Sequence, residues 1–331
     1  MSEAPDLSAL SSPTASRRPE KSSAPLLAEG TALRKFDRSV SLLTWAYNEE
    51  LLIESFLSQA VELLQRTVED WEIILVNDGS TDRTGAIADE YAQREPRVRV
   101  LHNERNLNVG QSARRAIAGA TKEYMLWQTI DWSYDISALR IYLELTKYFD
   151  VVLGVRPYPI RMLSYIPVIR SIFRVRTRSD SIFRAIISLG NYYMLRILYG
   201  PKFHDFQNVQ IYPLRLAHAF RLTGSSSFLA PELLFRCYQA GMTFMEVPIP
   251  FIPRKAGQAK GAWPKAMIHS IVDILRNWFG WGYALRAEII RDWFAGRHRR
   301  RVYRLTEVQF LDEDVICLTA PLFRLFRPST K

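Results

Sequence analysis

Four apolar residues, Ile73-Ile74-Leu75-Val76, run without a break into Asn77-Asp78-Gly79-Ser80-Thr81-Asp82. So short an apolar run reads as a buried strand, and the carboxylate, glycine and hydroxyl residues after it read as a tight turn into a helix. Few folds accept that sequence. In an α/β protein the C-terminal ends of parallel strands open onto a ligand crevice, so Asp78 is placed to accept hydrogen bonds from a bound sugar or base. Gly79 permits the close turn, and Ser80 or Thr81 is expected to cap a helix starting near Asp82. An ordinary connecting loop would carry similar residues, so the neighbouring segments have to decide.

Those neighbours alternate. Short β-rich runs at 40–44, 73–76, 98–101, 124–128 and 151–155 are separated by helical patterns at 49–64, 81–93, 109–118 and 136–148. Strands spaced by single helices predict a mostly parallel sheet with helices on both faces. The loop after the first strand reads Trp45-Ala46-Tyr47-Asn48-Glu49-Glu50 rather than Gly-x-Gly-x-x-Gly, and no Walker loop is present. A dinucleotide cofactor is therefore disfavoured.

The 331-residue chain has 48% hydrophobic and 24% charged residues, a globular composition. Its formal charge of +10 favours anionic partners such as phosphorylated ligands, an acidic membrane face or nucleic acid. Nucleic acid is set aside because no helix-turn-helix, zinc or RNA-binding motif accompanies the charge. Cys237 and Cys317 give neither a metal pattern nor a disulfide framework, which suits a reducing compartment. No apolar run reaches the ~18 to 20 residues of a membrane span. Three regions are expected: a disordered Ser/Ala/Pro-rich tail over 1–35, an α/β domain over 36–262, and a helical extension and tail over 263–331. In the last, Met267, Ile271, Ile274, Leu275 and Trp278 recur at helical spacing with Asp273, Arg276 and Asn277 on other faces. Such an amphipathic helix either packs on a core or docks at a membrane interface.

Three stretches occur in order: Tyr47-Asn48-Glu49, Asn77 to Asp82, and Asn106 to Gly119 (NLNVGQSARRAIAG). Together they resemble the inverting family 2 glycosyltransferases of GT-A fold, a Rossmann-like α/β architecture. Within that family, His204 to Asn208 (HDFQN), Pro231-Glu232-Leu233-Leu234, Glu246-Val247-Pro248 and Arg254-x-x-Gly257-x-x-Lys260 are similar to the dolichyl- and polyprenyl-phosphate sugar transferases. The resemblance implies transfer of one hexose from a UDP- or GDP-sugar to a polyprenyl phosphate, by a peripheral protein at the cytoplasmic membrane face. It places Tyr47, Glu49, Asp78 and Gly110 around the donor, with Arg254 and Lys260 near its diphosphate. The Gln/Arg-x-x-Arg-Trp motif of the family's processive synthases is absent.

The chain departs from the family at the metal site. Where the family has Asp-x-Asp, this chain reads Thr129-Ile130-Asp131-Trp132-Ser133. If 129, 131 and 133 alternate along a strand, Thr129 and Ser133 flank the single carboxylate of Asp131. Mg²⁺ or Mn²⁺ would then bind weakly until donor phosphates complete its shell, with Ser133 or Asp135 as further ligands. Asp131 as a helix-capping acid in an inactive relative is the competing reading. A phosphate acceptor needs no general base, whereas a hydroxyl acceptor would need one, with Asp205 and Glu232 as candidates. For an acceptor phosphate, Arg170, Arg174, Arg176 and Arg178 form a pool of cations interleaved with apolar residues, and Asp205 or Glu232 would orient them or the sugar. Arg114 and Arg115 lie near the donor motif.

Overall fold

The computed structural model describes residues 34–156, 182–249, 252, 264–297 and 301–304. Five strands fall where the alternating pattern predicts them: β1 (Val40–Ala46), β2 (Trp71–Asn77), β3 (Val98–His102), β4 (Tyr124–Trp127) and β5 (Val151–Val155). The helices between them are α1 (Ile53–Thr67), α2 (Thr84–Arg94), α3 (Val109–Gly119) and the short α4 (Leu139–Glu144). Then come α5 (Ile182–Tyr199), β6 (Gln210–Pro213), α6 (Leu214–Ala219), α7 (Leu229–Gln239) and β7 (Phe244–Pro248). The described chain ends in α8 (Pro264–Asn277), α9 (Tyr283–Phe294) and β8 (Val302–Arg304).

All eight strands form one sheet in the order β3-β2-β1-β4-β6-β5-β7-β8. β1, β2, β3 and β4 pair in parallel, as do β5, β7 and β8, while β6 runs antiparallel to both β4 and β5. The reversed strand joins two parallel halves. Val308 to Leu318, a stretch whose composition allows a strand, lies outside the described residues. The strand observed near there is β8.

Alternation along the strands divides the core. Leu42, Ile73 and Leu75 face α1, α2 and α4 in one cluster, while Leu43, Ile74 and Val76 face α3, α5 and α7 in the other. Every residue of β2 is buried, as a strand covered on both faces requires. Burying each of its aliphatic side chains contributes about 1.5–3 kcal/mol, which fixes the strand tip at Asn77-Asp78 against the bulk of the domain.

The C-terminal helices join the second cluster through Ile274 and Leu285, and a π-helical turn over Trp278–Gly282 links α8 to α9 without a break. The helical period of α8 is as expected, but the face it buries is mixed. Asp273 and Asn277 are buried beside Ile274, whereas Ile268, Ile271, Val272 and Leu275 are exposed. The two polar residues turn inward because they have partners there. Apart from Leu51, every large hydrophobic side chain exposed among the described residues lies on α5, α8, α9 or the turn between the last two. No helix among the described residues is long and apolar enough to cross a membrane.

Candidate functional site

The loops after β1 and β2 are sewn together. Asn48 takes a positive φ of 51°, a conformation that Asn tolerates. Its N–H donates to Ser80 Oγ (3.0 Å), and its Oδ1 accepts from the Thr81 N–H (2.8 Å). Glu49 N–H donates to Thr84 Oγ1 at 2.7 Å. Ser80 and Thr81 therefore bind the neighbouring loop instead of capping α2. The acceptor at that helix start is Asp82, whose Oδ1 receives the Thr84 N–H at 2.9 Å. Burial opposes ionisation of Asp82, but the hydrogen bonds from Thr84 and the Glu50 N–H outweigh it and hold its carboxyl below the usual range.

Asp78 is held almost fully buried at the strand tip. Its Oδ1 accepts from Asn103 Nδ2 (2.7 Å) and from the Leu107 N–H (2.9 Å). Gly79 has a φ of +69°, and a Cβ there would come within 2.3 Å of the Arg105 backbone. Both facts demand glycine. Gly79→Ala is expected to cost about 2–4 kcal/mol, a fall in Tm of roughly 5–10 °C, because backbone must move and the Asp78–Leu107 bond with it. Thermal unfolding of the variant checks this, and an unchanged Tm would contradict the packing described.

These loops wall a cavity of about 410 Å³ whose lining includes Tyr47, Glu49, Asp78, Asn108, Val109, Thr129, Asp131, Ser226, Ser227 and His269. Four of the sequence candidates thus meet in one place: Tyr47, Glu49, Asp78 and Asp131. Asn108 and Val109 also bring the N-terminal end of α3 to the wall, where backbone N–H groups and the helix dipole favour an anion. An adjoining pocket of about 240 Å³ shares Trp45, Val109, Thr129, Ser226 and Ser227 and adds Trp127, Tyr134 and Gln207.

Several candidates stand elsewhere. Gly110 does not line the cavity; a Cβ on it would meet the Ser225 carbonyl carbon at 2.4 Å, so its role is to let α3 close on the 225–226 turn. β4 stops at Trp127, and 129–133 is a turn rather than a strand, with Trp132 at a φ of +52° and its N–H on Thr129 O at 2.9 Å. The turn nonetheless gathers the same three side chains: Ser133 Oγ donates to Asp131 Oδ1 (2.6 Å), and Ser133 N–H donates to Thr129 Oγ1 (3.1 Å). Asp135 accepts from the Ser137 N–H at 3.0 Å and lines a different hollow beside α1, so it is no reserve ligand for Asp131.

Neither proposed base reaches the cavity. Asp205 is 2% exposed and forms a two-pronged pair with Arg156, Oδ2 to Nε at 2.6 Å and Oδ1 to Nη2 at 3.0 Å. Glu232 is sealed in α7, where it accepts from the Thr223 N–H and hydroxyl and from the Gly224 N–H (2.7 Å). Burial pushes its carboxyl up despite those bonds. Its work is to hold the 223–224 turn leading to Ser226. Arg114 and Arg115 are braces, donating to Leu222 O and to His102 O respectively. Arg170, Arg174, Arg176, Arg178, Arg254 and Lys260 lie outside the described residues.

Ser226, Ser227 and His269 are lining residues that the sequence reading did not single out. They arrive because Asp273 Oδ2 accepts both the Ser225 and Ser226 N–H groups at 2.8 Å, while Ser225 Oγ bonds His269 Nε2 at 2.8 Å. Asn277 Oδ1 accepts from Thr223 Oγ1 (2.8 Å) and Trp281 Nε1 (2.9 Å). His269, Asp273 and Asn277 recur every fourth residue, one stripe of α8. That spacing was the available signal.

Residues 41–199 match the Glycosyl transferase family 2 model. Over that stretch the chain is similar to family 2 glycosyltransferase domains. Over 252 residues it is 26% identical to the undecaprenyl-phosphate mannosyltransferase of Micrococcus luteus, covering 74% of this chain and 94% of that one. It is 35% identical over 103 residues to the dolichyl-phosphate beta-glucosyltransferase ALG5D of Trichomonas vaginalis, 30% of this chain and 32% of that one. It is also 25% identical over 272 residues to the glycosyltransferase AglD of Haloferax volcanii, 80% of this chain and 38% of that one. The chain spans well under half the length of the first curated relatives it matches, 17% to 38%. Among solved structures, glucosyl-3-phosphoglycerate synthase of Mycobacterium tuberculosis, in complex with Mn²⁺, UDP and glucosyl-3-phosphoglycerate, aligns with a TM-score of 0.48 at 15% identity. That alignment covers 73% of this chain and 80% of that one. The family 2 match over 41–199 and the mostly parallel sheet with helices on both faces make this a GT-A-like fold.

Proposed function

We propose that this family 2 domain transfers a single hexose from a UDP- or GDP-sugar to a polyprenyl phosphate, with inversion, at the cytoplasmic face of a membrane. The observation that carries the reading is the single cavity walled by Tyr47, Glu49 and Asp78 on one side and Asp131 on the other. Tyr47, Glu49 and Asp78 suit a nucleoside, since carboxylates accept from ribose hydroxyls and base N–H groups while the ring of Tyr47 offers a stacking face. The N-terminal end of α3 suits the phosphates. Arg254 and Lys260 are assigned to the diphosphate by family resemblance, and the arginines between 170 and 178 to the acceptor phosphate.

In the reaction an oxygen of the acceptor phosphate attacks the anomeric carbon. The bond from that carbon to the diphosphate breaks on the opposite side, and the nucleoside diphosphate leaves with the electron pair. An ionised phosphate needs no proton removed. The burial of Asp205 and Glu232 removes the two candidates for the base that a hydroxyl acceptor would need, which supports the phosphate. Asp131 with the Thr129 and Ser133 hydroxyls is an all-oxygen set of the kind that suits Mg²⁺ or Mn²⁺. The described residues include no cluster of three or more His, Cys, Asp or Glu able to hold a metal ion by themselves, so the ion would be shared with the donor phosphates. When bound, it would neutralise charge on the departing diphosphate.

The outward apolar face of α8 and α9, on a chain of net charge +10, supports peripheral docking on an anionic membrane. The test of the whole reading is incubation with labelled UDP- and GDP-sugars, Mg²⁺ or Mn²⁺, and undecaprenyl phosphate. Label in the organic phase that is lost on mild acid treatment is the expected result. Transfer only to a hydroxyl-bearing lipid or glycan would replace the acceptor, and donor binding without transfer would reduce the chain to a nucleotide-sugar-binding protein.

A further inference from the structure

A second cavity, of about 750 Å³, lies beside β7, β8 and α9 and shares no lining residue with the first. Its cationic side carries Lys202, Arg286, Arg301 and Arg304. Two of these are committed to the fold: Arg301 donates to Tyr238 O at 2.8 Å, and Arg304 lies against the His204–Glu246 pair. Lys202 and Arg286 make no hydrogen bond or ion pair among the described residues. Glu246, the one carboxylate in the lining, is wholly buried and already accepts the His204 N–H (2.8 Å) and meets its Nδ1 (2.6 Å). Lys202 and Arg286 therefore bring positive charge to the cavity that Glu246, engaged with His204 and Arg304, does not neutralise. Gly200 shapes that side, since with a φ of +101° a Cβ would lie 2.9 Å from Arg286 Nη1.

The rest of the lining is largely apolar. It includes Ile290, Trp293 and Phe294, and the two aromatic residues stay 65% and 78% exposed at the rim. Cations behind exposed aromatics match a molecule with an anionic head and a hydrocarbon body: the guanidinium and ammonium take the phosphate, and the rings take the first methylenes. A free phosphate or nucleotide would leave Trp293 and Phe294 in water. The polyprenyl acceptor is also excluded, because its phosphate must react in the other cavity.

We propose that this cavity binds the headgroup of an anionic glycerophospholipid, with Lys202 and Arg286 on the phosphate and Trp293 and Phe294 in the acyl layer. This anchors the C-terminal helices at a fixed point on the bilayer, and it rests on the membrane-surface reading above.

Co-sedimentation of the full chain with phosphatidylcholine vesicles, with and without phosphatidylglycerol, tests it. The chain is expected to prefer the anionic vesicles, and Lys202→Gln with Arg286→Gln to weaken that binding roughly 30-fold, at about one exposed-cation increment each. Arg66→Gln with Arg94→Gln removes the same charge from α1 and α2, outside the cavity, and is expected to change binding by less than about threefold. Trp293→Ser with Phe294→Ser is expected to lower binding to both vesicle types. Equal losses from the two charge pairs, or none from Lys202 and Arg286, would overturn the proposal in favour of diffuse attraction. A shift in oligomeric state with the Trp293/Phe294 variant and no lipid preference would overturn it in favour of a second copy of the chain. The readout involves no turnover, so absent glycosyl transfer leaves it standing. A chain that binds no vesicle at all sinks it together with the membrane-surface reading, while the donor cavity is untouched.

Discussion

Exchanging Asp131 for asparagine is expected to lower glycosyl transfer by roughly two to three orders of magnitude while moving Tm by no more than about 2 °C. The two effects separate because the local bonds survive the exchange. Ser133 Oγ donates to Asp131 Oδ1 at 2.6 Å, and an asparagine Oδ1 accepts that bond equally well. The turn is also fixed independently by the Trp132 N–H on Thr129 O and by Gln128, whose Nε2 donates to Tyr134 O at 2.7 Å. What the exchange removes is the one carboxylate on this wall of the cavity, and with it the proposed anionic ligand for a cation shared with the donor diphosphate. Initial rates with saturating donor, set beside thermal unfolding, measure both quantities. An Asp131→Asn enzyme turning over at the wild-type rate would take Asp131 out of the chemistry. The companion variant Thr129→Asp, which adds a second carboxylate on the same turn, is expected to tighten Mn²⁺ binding about tenfold, read by titration calorimetry without any sugar present.

The residues legible in the sequence are those whose position depends on their own segment. Asp78 sits at the end of an uninterrupted apolar strand, so its burial at the crevice follows from four neighbours and a glycine. Tyr47 and Glu49 follow β1 in the same way. Asp131 was located but its setting was not, because the left-handed Trp132 converts an expected strand into a turn, and nothing local marks that conformation. Asp205 and Glu232 show the opposite failure. Their isolation from the cavity depends on Arg156, 49 residues away, and on the Thr223–Gly224 turn. A carboxylate's partners across such separations cannot be read from spacing. Helical periodicity in α8 correctly gives two faces, yet it does not say which is inside. The N–H groups of Ser225 and Ser226 find their acceptor in Asp273, which draws that stripe inward together with Ile274. β6 was missed because an antiparallel strand between two parallel halves carries no signature of its own.

Asp273 is where that inward polar stripe can be tested. Asp273→Ala removes the acceptor for two backbone N–H groups at 2.8 Å each and for the Ser225 hydroxyl, at a site 5% exposed. Water reaches the donors poorly, so the expected loss is about 3–5 kcal/mol, or roughly 8–15 °C in Tm for a domain of this size. Asp273→Asn keeps one carbonyl acceptor and is expected to lose about half as much. The functional consequence follows from the same contacts. Ser226 and Ser227 line the cavity proposed for the donor and His269 bonds Ser225, so loosening α8 from the 223–227 turn is expected to raise KM for the donor about tenfold, with kcat reduced less. Tm and donor KM should then fall and rise together across Ala, Asn and wild type. A large stability loss with unchanged donor KM would mean that α8 merely packs beside the cavity, whereas coupled changes make its buried polar stripe part of the binding wall.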